Sequence, residues 1–159
     1  MAVLDWKGLR DPNVLLATGL GVGLLPKIPG TWGSILALIL WYVLLASQEL
    51  WLVLSVCVVT FILGWFASHR ITSRNRLGDE PQIVVDEIVG MWIALVAIPN
   101  TWWIAILAFS VFRFFDIAKP WPIAWVDRHI KGGLGVMLDD VLAGAATWIV
   151  IQGLLLLLD

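Results

Sequence analysis

Two acidic doublets interrupt otherwise apolar sequence: Asp86-Glu87 between Ile83-Val84-Val85 and Ile88-Val89-Gly90-Met91-Trp92, and Asp139-Asp140 ahead of the run that begins at Val141. Carboxylates in such surroundings are costly to ionise unless a cation or hydrogen-bond donors compensate them. Asp86 stands four residues before Gly90, and Asp140 four before Gly144, so on helices each acid shares a face with a glycine. Glycine there lets a second helix come close, which predicts that the two doublets converge. Four gathered carboxylates repel unless a divalent cation joins them, and an all-oxygen donor set suits Mg²⁺. Capping of helix N-termini is the plainer alternative, because the macrodipole favours acids there by about 0.3–1 kcal/mol. It accounts for one acid per helix and leaves the doubling unexplained.

Between the doublets runs Arg113-x-x-Asp116-x-x-Lys119, whose spacing puts all three side chains on roughly one side of a helix that Pro120 ends. Asp116 opposes the macrodipole at that helix end unless Arg113, Lys119 or a metal offsets it. Arg113 and Lys119 are suitable phosphate ligands, one bidentate and one a point charge; an ordinary salt-bridged helix end is the alternative. Gly132-Gly133-Leu134-Gly135 is either a turn or an exposed row of N–H groups for an anion. Thr31, in Pro29-Gly30-Thr31-Trp32-Gly33-Ser34, is either an N-cap or a headgroup contact. No spacing demands a role for His69 or His129.

The elements that must position these groups are membrane helices. With 60% hydrophobic and 14% charged residues and a mean hydropathy of +0.93, a single domain covering residues 1–159 cannot hide its apolar surface from water. The net charge of −2 gives no nucleic-acid footprint, and the lone Cys57 excludes a disulfide framework. The expected fold is all-α, a polytopic membrane bundle of about five spans: 31–47, 50–68, 83–98, 101–115 and 141–158. The first two form a hairpin turned at Gln48-Glu49, the next two a hairpin turned at Pro99-Asn100. Residues 13–25, with Gly19, Gly21 and Gly23, would reach only about 20 Å as a helix and are expected to be re-entrant or interfacial rather than a cleaved signal. A short interfacial helix is expected around Trp121 and Trp125.

Charge placement agrees with that arrangement. Lys7, Arg10, Lys27, Arg70, Arg74, Arg76, Arg113, Lys119, Arg128 and Lys131 fall on one side, which is expected to be cytoplasmic. Most acids fall there too, among them Asp79, Glu80 and Asp127, so one face does the chemistry. The sequence lacks a Cys-x5-Arg loop, an Asp-x-Asp motif, a Walker loop and a Gly-x-Ser-x-Gly elbow, so hydrolysis would rest on carboxylates, metal and water.

Four stretches together resemble the bacterial phosphatidylglycerophosphatase A family: Pro29 to Ser34, Val85 to Trp92, Arg113 to Ile123, and Gly132 to Gly144. The resemblance covers nearly the whole chain in order. It implies a small, multi-pass inner-membrane enzyme, Mg²⁺-dependent, that hydrolyses the terminal phosphomonoester of phosphatidylglycerophosphate to phosphatidylglycerol. On this reading Asp86, Glu87, Asp139 and Asp140 hold Mg²⁺, and Asp116 orients the cations or completes the metal shell. Arg113 and Lys119, with Thr31, Gly132 and Gly133, bind the substrate phosphate. A small transporter or a structural membrane subunit with a metal-bound carboxylate cluster is the alternative; acids confined to one face leave a transporter no path across.

Overall fold

The computed structural model describes residues 4–75 and 80–158, so Arg76 and Asp79 of the loop expected to be charged lie outside the described residues. The described residues form an all-α fold. Its helices are α1 (Pro12–Ala17), α2 (Pro29–Leu40, continued by a π-helical turn, Trp41–Leu45), α3 (Leu50–Asn75), α4 (Val85–Ala94), α5 (Trp102–Ala118), α6 (Ile123–His129) and α7 (Gly132–Leu158).

Helix α4 is the centre of this arrangement. Only Glu87 and Ile93 of its residues escape full burial, and a helix apolar on all sides needs neighbours on all sides. It meets α2, α3, α5 and α7, with α7 as its most extensive partner. This changes the expected first hairpin: α2 and α3 leave their tight turn and each pack on α4 more than along each other.

The α4–α7 crossing is closest at glycine. A Cβ on Gly144 would run into the Gly90 carbonyl oxygen, and a Cβ on Gly90 would lie 2.5 Å from the Asp140 carbonyl oxygen. The two backbones therefore touch.

Polarity is inverted relative to a water-soluble domain. Asp86, Asp139, Asp140, Ser34, Ser68 and Thr147 are buried, whereas Ile39, Val43, Leu54, Val58, Ile62, Phe66, Ile106 and Ile149 are exposed. Such apolar faces suit a lipid surround. Two helical stretches, Leu50–Ser73 and Gly132–Leu158, are long and apolar enough to cross a bilayer, and Pro29–Leu45 is a shorter apolar helix. The expected five full spans are thus not five long helices. Helix α4 has 10 residues and rises about 15 Å; carbonyls of the turn that follows it are met by side chains of α7. Trp148 Nε1 donates to Val96 O at 3.0 Å, and Gln152 Nε2 donates to Ala97 O at 3.3 Å.

The N-terminal segment forms no long helix. Asp11 caps α1, accepting from Asn13 N at 2.9 Å, and Gly19, Leu20 and Gly21 then turn through positive φ. Val84 N donates to Ala17 O at 2.8 Å, so this segment props the chain where it enters α4.

Packing makes a direct stability prediction. Gly144→Ala should lower thermal stability in detergent by about 1–3 kcal/mol, because the backbone of α4 must move. At Gly153 an added Cβ meets nothing within 4 Å, so Gly153→Ala in the same helix should be neutral or stabilising by up to about 1 kcal/mol. Equal melting temperatures for the two variants would show that the helices do not cross at Gly90 and Gly144.

Candidate active site

The glycine crossing places the acids. Asp86 and Glu87 occupy the first turn of α4, where the macrodipole favours them. Asp139 and Asp140 lie two turns inside α7, which begins at Gly132. The macrodipole therefore reaches the first doublet alone, and neither of its acids caps the helix, whose N-cap is Val84. Carboxylate oxygens of Asp86, Glu87 and Asp140 all lie within 4.8 Å of one another.

Helix α5 closes the site from the side with its last turn. Arg113 Nη1 contacts Asp116 Oδ2 at 2.5 Å and donates to Ser34 Oγ of α2 at 3.2 Å, which ties α5 to α2. Lys119 ends α5 in a left-handed conformation and donates to Asp127 Oδ1 at 2.7 Å and to Asp139 Oδ2 at 2.6 Å. Burial works against its charge, but the hydrogen bonds to Asp127 and Asp139 outweigh it and hold the Lys119 pKa above the ordinary lysine value. Lys119 is thus a permanent cation at neutral pH.

A cavity of about 150 Å³ opens among these groups, lined by both acidic doublets, Asp116 and Lys119, together with Glu80, Pro81, Ile83 and Val136. Among its lining residues Asp86 Oδ1, Glu87 Oε2 and Asp139 Oδ1 are buried without a hydrogen-bond partner, and so, outside the lining, is Arg113 Nε. Buried carboxylate oxygens lacking donors are what a hard cation satisfies. Asp86, Glu87 and Asp140 therefore fit a divalent cation. Asp139 is divided, with Oδ2 on Lys119 and Oδ1 open.

The structure distributes the other expected residues unevenly. Arg113, Asp116 and Lys119 stand at the acids. Thr31 is half-buried in the first turn of α2. Gly132 opens α7 with φ +74°, and a Cβ on Gly133 would overlap the backbone of His69, so close packing on α3 accounts for that glycine. His129 is exposed and stacked on Trp125 at 4.7 Å, away from the acids.

Four contributors had no individual role assigned from the sequence: Asp127 and Glu80, placed only on the acidic face, and Ser34 and Gly30. Asp127 returns to Lys119 across Pro120-Trp121-Pro122, where no helical period links the two. Ser34 and Gly30 lie in the Pro29 to Ser34 stretch already singled out. A Cβ on Gly30 would run into Glu87 Oε1, so the stretch is informative for what its glycine lacks.

Comparison with known proteins gives this site a lineage. The sequence model of the family described as phosphatidylglycerophosphatase A (PgpA) matches residues 15–155. A phosphatidylglycerophosphatase A of Escherichia coli is 42% identical over 139 residues, covering 86% of this chain and 79% of the relative. One from Haemophilus influenzae is 43% identical over 144 residues, covering 90% of this chain and 88% of the relative. A Bacteroides thetaiotaomicron relative, 41% identical over 146 residues and covering 87% and 90%, carries a provisional name, phosphatidylinositol-3-phosphatase. No solved structure matches the chain. The match spans every element that carries the acids, Arg113 and Lys119, and the chain belongs to the phosphatidylglycerophosphatase A family.

Proposed function

We propose that this chain is a Mg²⁺-dependent lipid phosphatase that removes the terminal phosphate of phosphatidylglycerophosphate to give phosphatidylglycerol. The observation that carries this reading is the set of three carboxylates, Asp86, Glu87 and Asp140, drawn from α4 and α7 to within 4.8 Å around a small cavity, with oxygens of Asp86, Glu87 and the adjoining Asp139 left unpartnered. The family supplies the substrate class: two relatives are named for the glycerophosphate lipid and one for a phosphoinositide. All three names share a phosphomonoester on a lipid headgroup.

Asp86, Glu87 and Asp140 would hold the metal, with the open Oδ1 of Asp139 at its edge. Bound Mg²⁺ would polarise phosphoryl oxygens and neutralise charge. Arg113 brings a donor to the same place: its Nη1 is engaged by Asp116 and Ser34, while its buried Nε has no partner and can donate to a phosphate oxygen. Lys119 holds Asp139 and Asp127, so it keeps Asp139 oriented and offers its fixed positive charge to the phosphate. Asp116 fixes the guanidinium plane of Arg113. Thr31, Gly132 and Gly133 remain outer candidates for headgroup or phosphate contact.

We further propose a multi-pass chain in the bacterial inner membrane, with the acids at the cytoplasmic boundary. One-sided Lys and Arg placement supports that orientation. Trp121 and Trp125 of the α6 region are exposed beside the site, as expected of anchors in a headgroup layer.

Near-isosteric substitution tests the acids. Asp86→Asn, Glu87→Gln and Asp140→Asn should each reduce phosphate release by at least about a hundredfold, about 3 kcal/mol of transition-state stabilisation, and raise the Mg²⁺ concentration for half activity in any variant that still turns over. Asp139→Asn should lower the rate with a smaller change in Mg²⁺ dependence, since one of its oxygens is already on Lys119. Asp11→Asn, at the α1 cap, should change neither. Near-normal rates and unchanged Mg²⁺ dependence in two of the three cluster variants would remove the site from these residues.

Orientation is tested in intact cells. In a Cys57→Ser background, a cysteine at Lys131 should be shielded from an impermeant thiol reagent while one at Asn100 should react. The reverse pattern would invert the topology.

A further inference from the structure

Glycine at position 30 needs an explanation that its backbone does not supply. It sits in the first turn of α2 after Pro29, and it is not among the positive-φ glycines, Gly19, Gly21 and Gly132, so an alanine would suit its conformation and improve its helix propensity. What excludes a side chain is the site itself. A Cβ on Gly30 would run into Glu87 Oε1, and would lie 3.2 Å from Glu87 Cδ and 3.3 Å from Arg113 Nη1. All three nearest atoms belong to two site side chains, one from α4 and one from α5. The neighbouring Gly33 contrasts with it, since a Cβ there would meet Val84, an apolar packing contact.

We infer that Gly30 is a positioning residue of the metal and phosphate site, acting by the absence of a side chain. The inference rests on the proposed metal role of Glu87. The missing Cβ lets the Glu87 carboxylate lie flat against the start of α2, with one oxygen against Gly30 and Oε2 left unpartnered. The same space admits the Arg113 guanidinium, which reaches Ser34 one turn along α2 at 3.2 Å. An anionic cation ligand and a cationic phosphate donor thus share the space that a side chain at position 30 would occupy. A methyl group there displaces the carboxylate, the guanidinium or both.

Substitution at both ends of the contact provides the test. Mn²⁺ binding to purified protein in detergent, followed by electron paramagnetic resonance, gives a metal affinity independent of turnover. Gly30→Ala should weaken Mn²⁺ binding about tenfold or more while leaving the melting temperature of metal-free protein within a few degrees of the parent. Gly33→Ala should lower the melting temperature and leave the Mn²⁺ affinity of the folded fraction within about twofold. Glu87→Asp retracts the carboxylate by one methylene and should weaken binding by itself. In the Gly30→Ala background it should cost much less, because the methyl fills space that the shorter side chain vacates.

Additive losses in the double variant, or parental Mn²⁺ affinity in Gly30→Ala, would overturn the inference while leaving the metal site intact. No Mn²⁺ binding by the parent protein would instead overturn the metal reading itself, and the inference with it.

Discussion

Contact between the backbones of α4 and α7 at Gly90 and Gly144 is the constraint on which the rest of the site depends. Carboxylates repel, yet Asp86, Glu87 and Asp140 come within 4.8 Å from two helices whose backbones touch, closer than the roughly 8–10 Å axis spacing usual for packed helices. Removing both Cβ atoms lets the axes approach until the Gly90 and Asp140 carbonyls bound the interface. Each acid lies one helical turn from its glycine, so the shortest separation of the helices lies next to the carboxylates. Dispersion between closely packed backbones, rather than any attraction among the acids, then holds the cluster together.

Electrostatic balance at this crossing comes from α5. Arg113 and Lys119 each hold one acid near the site, Asp116 and Asp139 respectively, which leaves Asp86, Glu87 and Asp140 as the part of the charge that no side-chain cation matches by ion pairing among the described residues. Asp127 draws Lys119 toward α6, so the lysine spans two helices instead of collapsing into the cluster. The division produces a cavity that is acidic at its floor and cationic at its wall, which is the arrangement a metal and a phosphate need together.

Much of this was legible in the sequence because it depends on short-range spacing. The four-residue step from acid to glycine predicts both the shared face and the convergence, and the three-residue steps from Arg113 to Lys119 place those side chains together. What was not legible has physical reasons. Neighbouring residues on a helix point about 100° apart; Asp140 joins the carboxylates of α4, whereas Asp139 turns one oxygen to Lys119. Nothing in the doublet says which. Gly132 to Gly135 reads as a turn by propensity, yet close packing on His69 makes α7 begin there. Hydropathy from Ile83 to Ile98 marks a buried segment, not a helical one. Helix α4 stops at Ala94, and the turn after it is held by Trp148 and Gln152, more than fifty residues away, which donate to the carbonyls of Val96 and Ala97. Such long-range partners have no local signature.

The central claim is that three carboxylates, not four, form the cation site at the α4–α7 crossing. Anomalous diffraction from crystals grown with Mn²⁺ in place of Mg²⁺ measures this most directly. The account predicts a peak within coordination distance of Asp86, Glu87 and Asp140, with Lys119 still on Asp139. A well-occupied peak at another set of acids, with Asp86, Glu87 and Asp140 outside coordination distance, would contradict it.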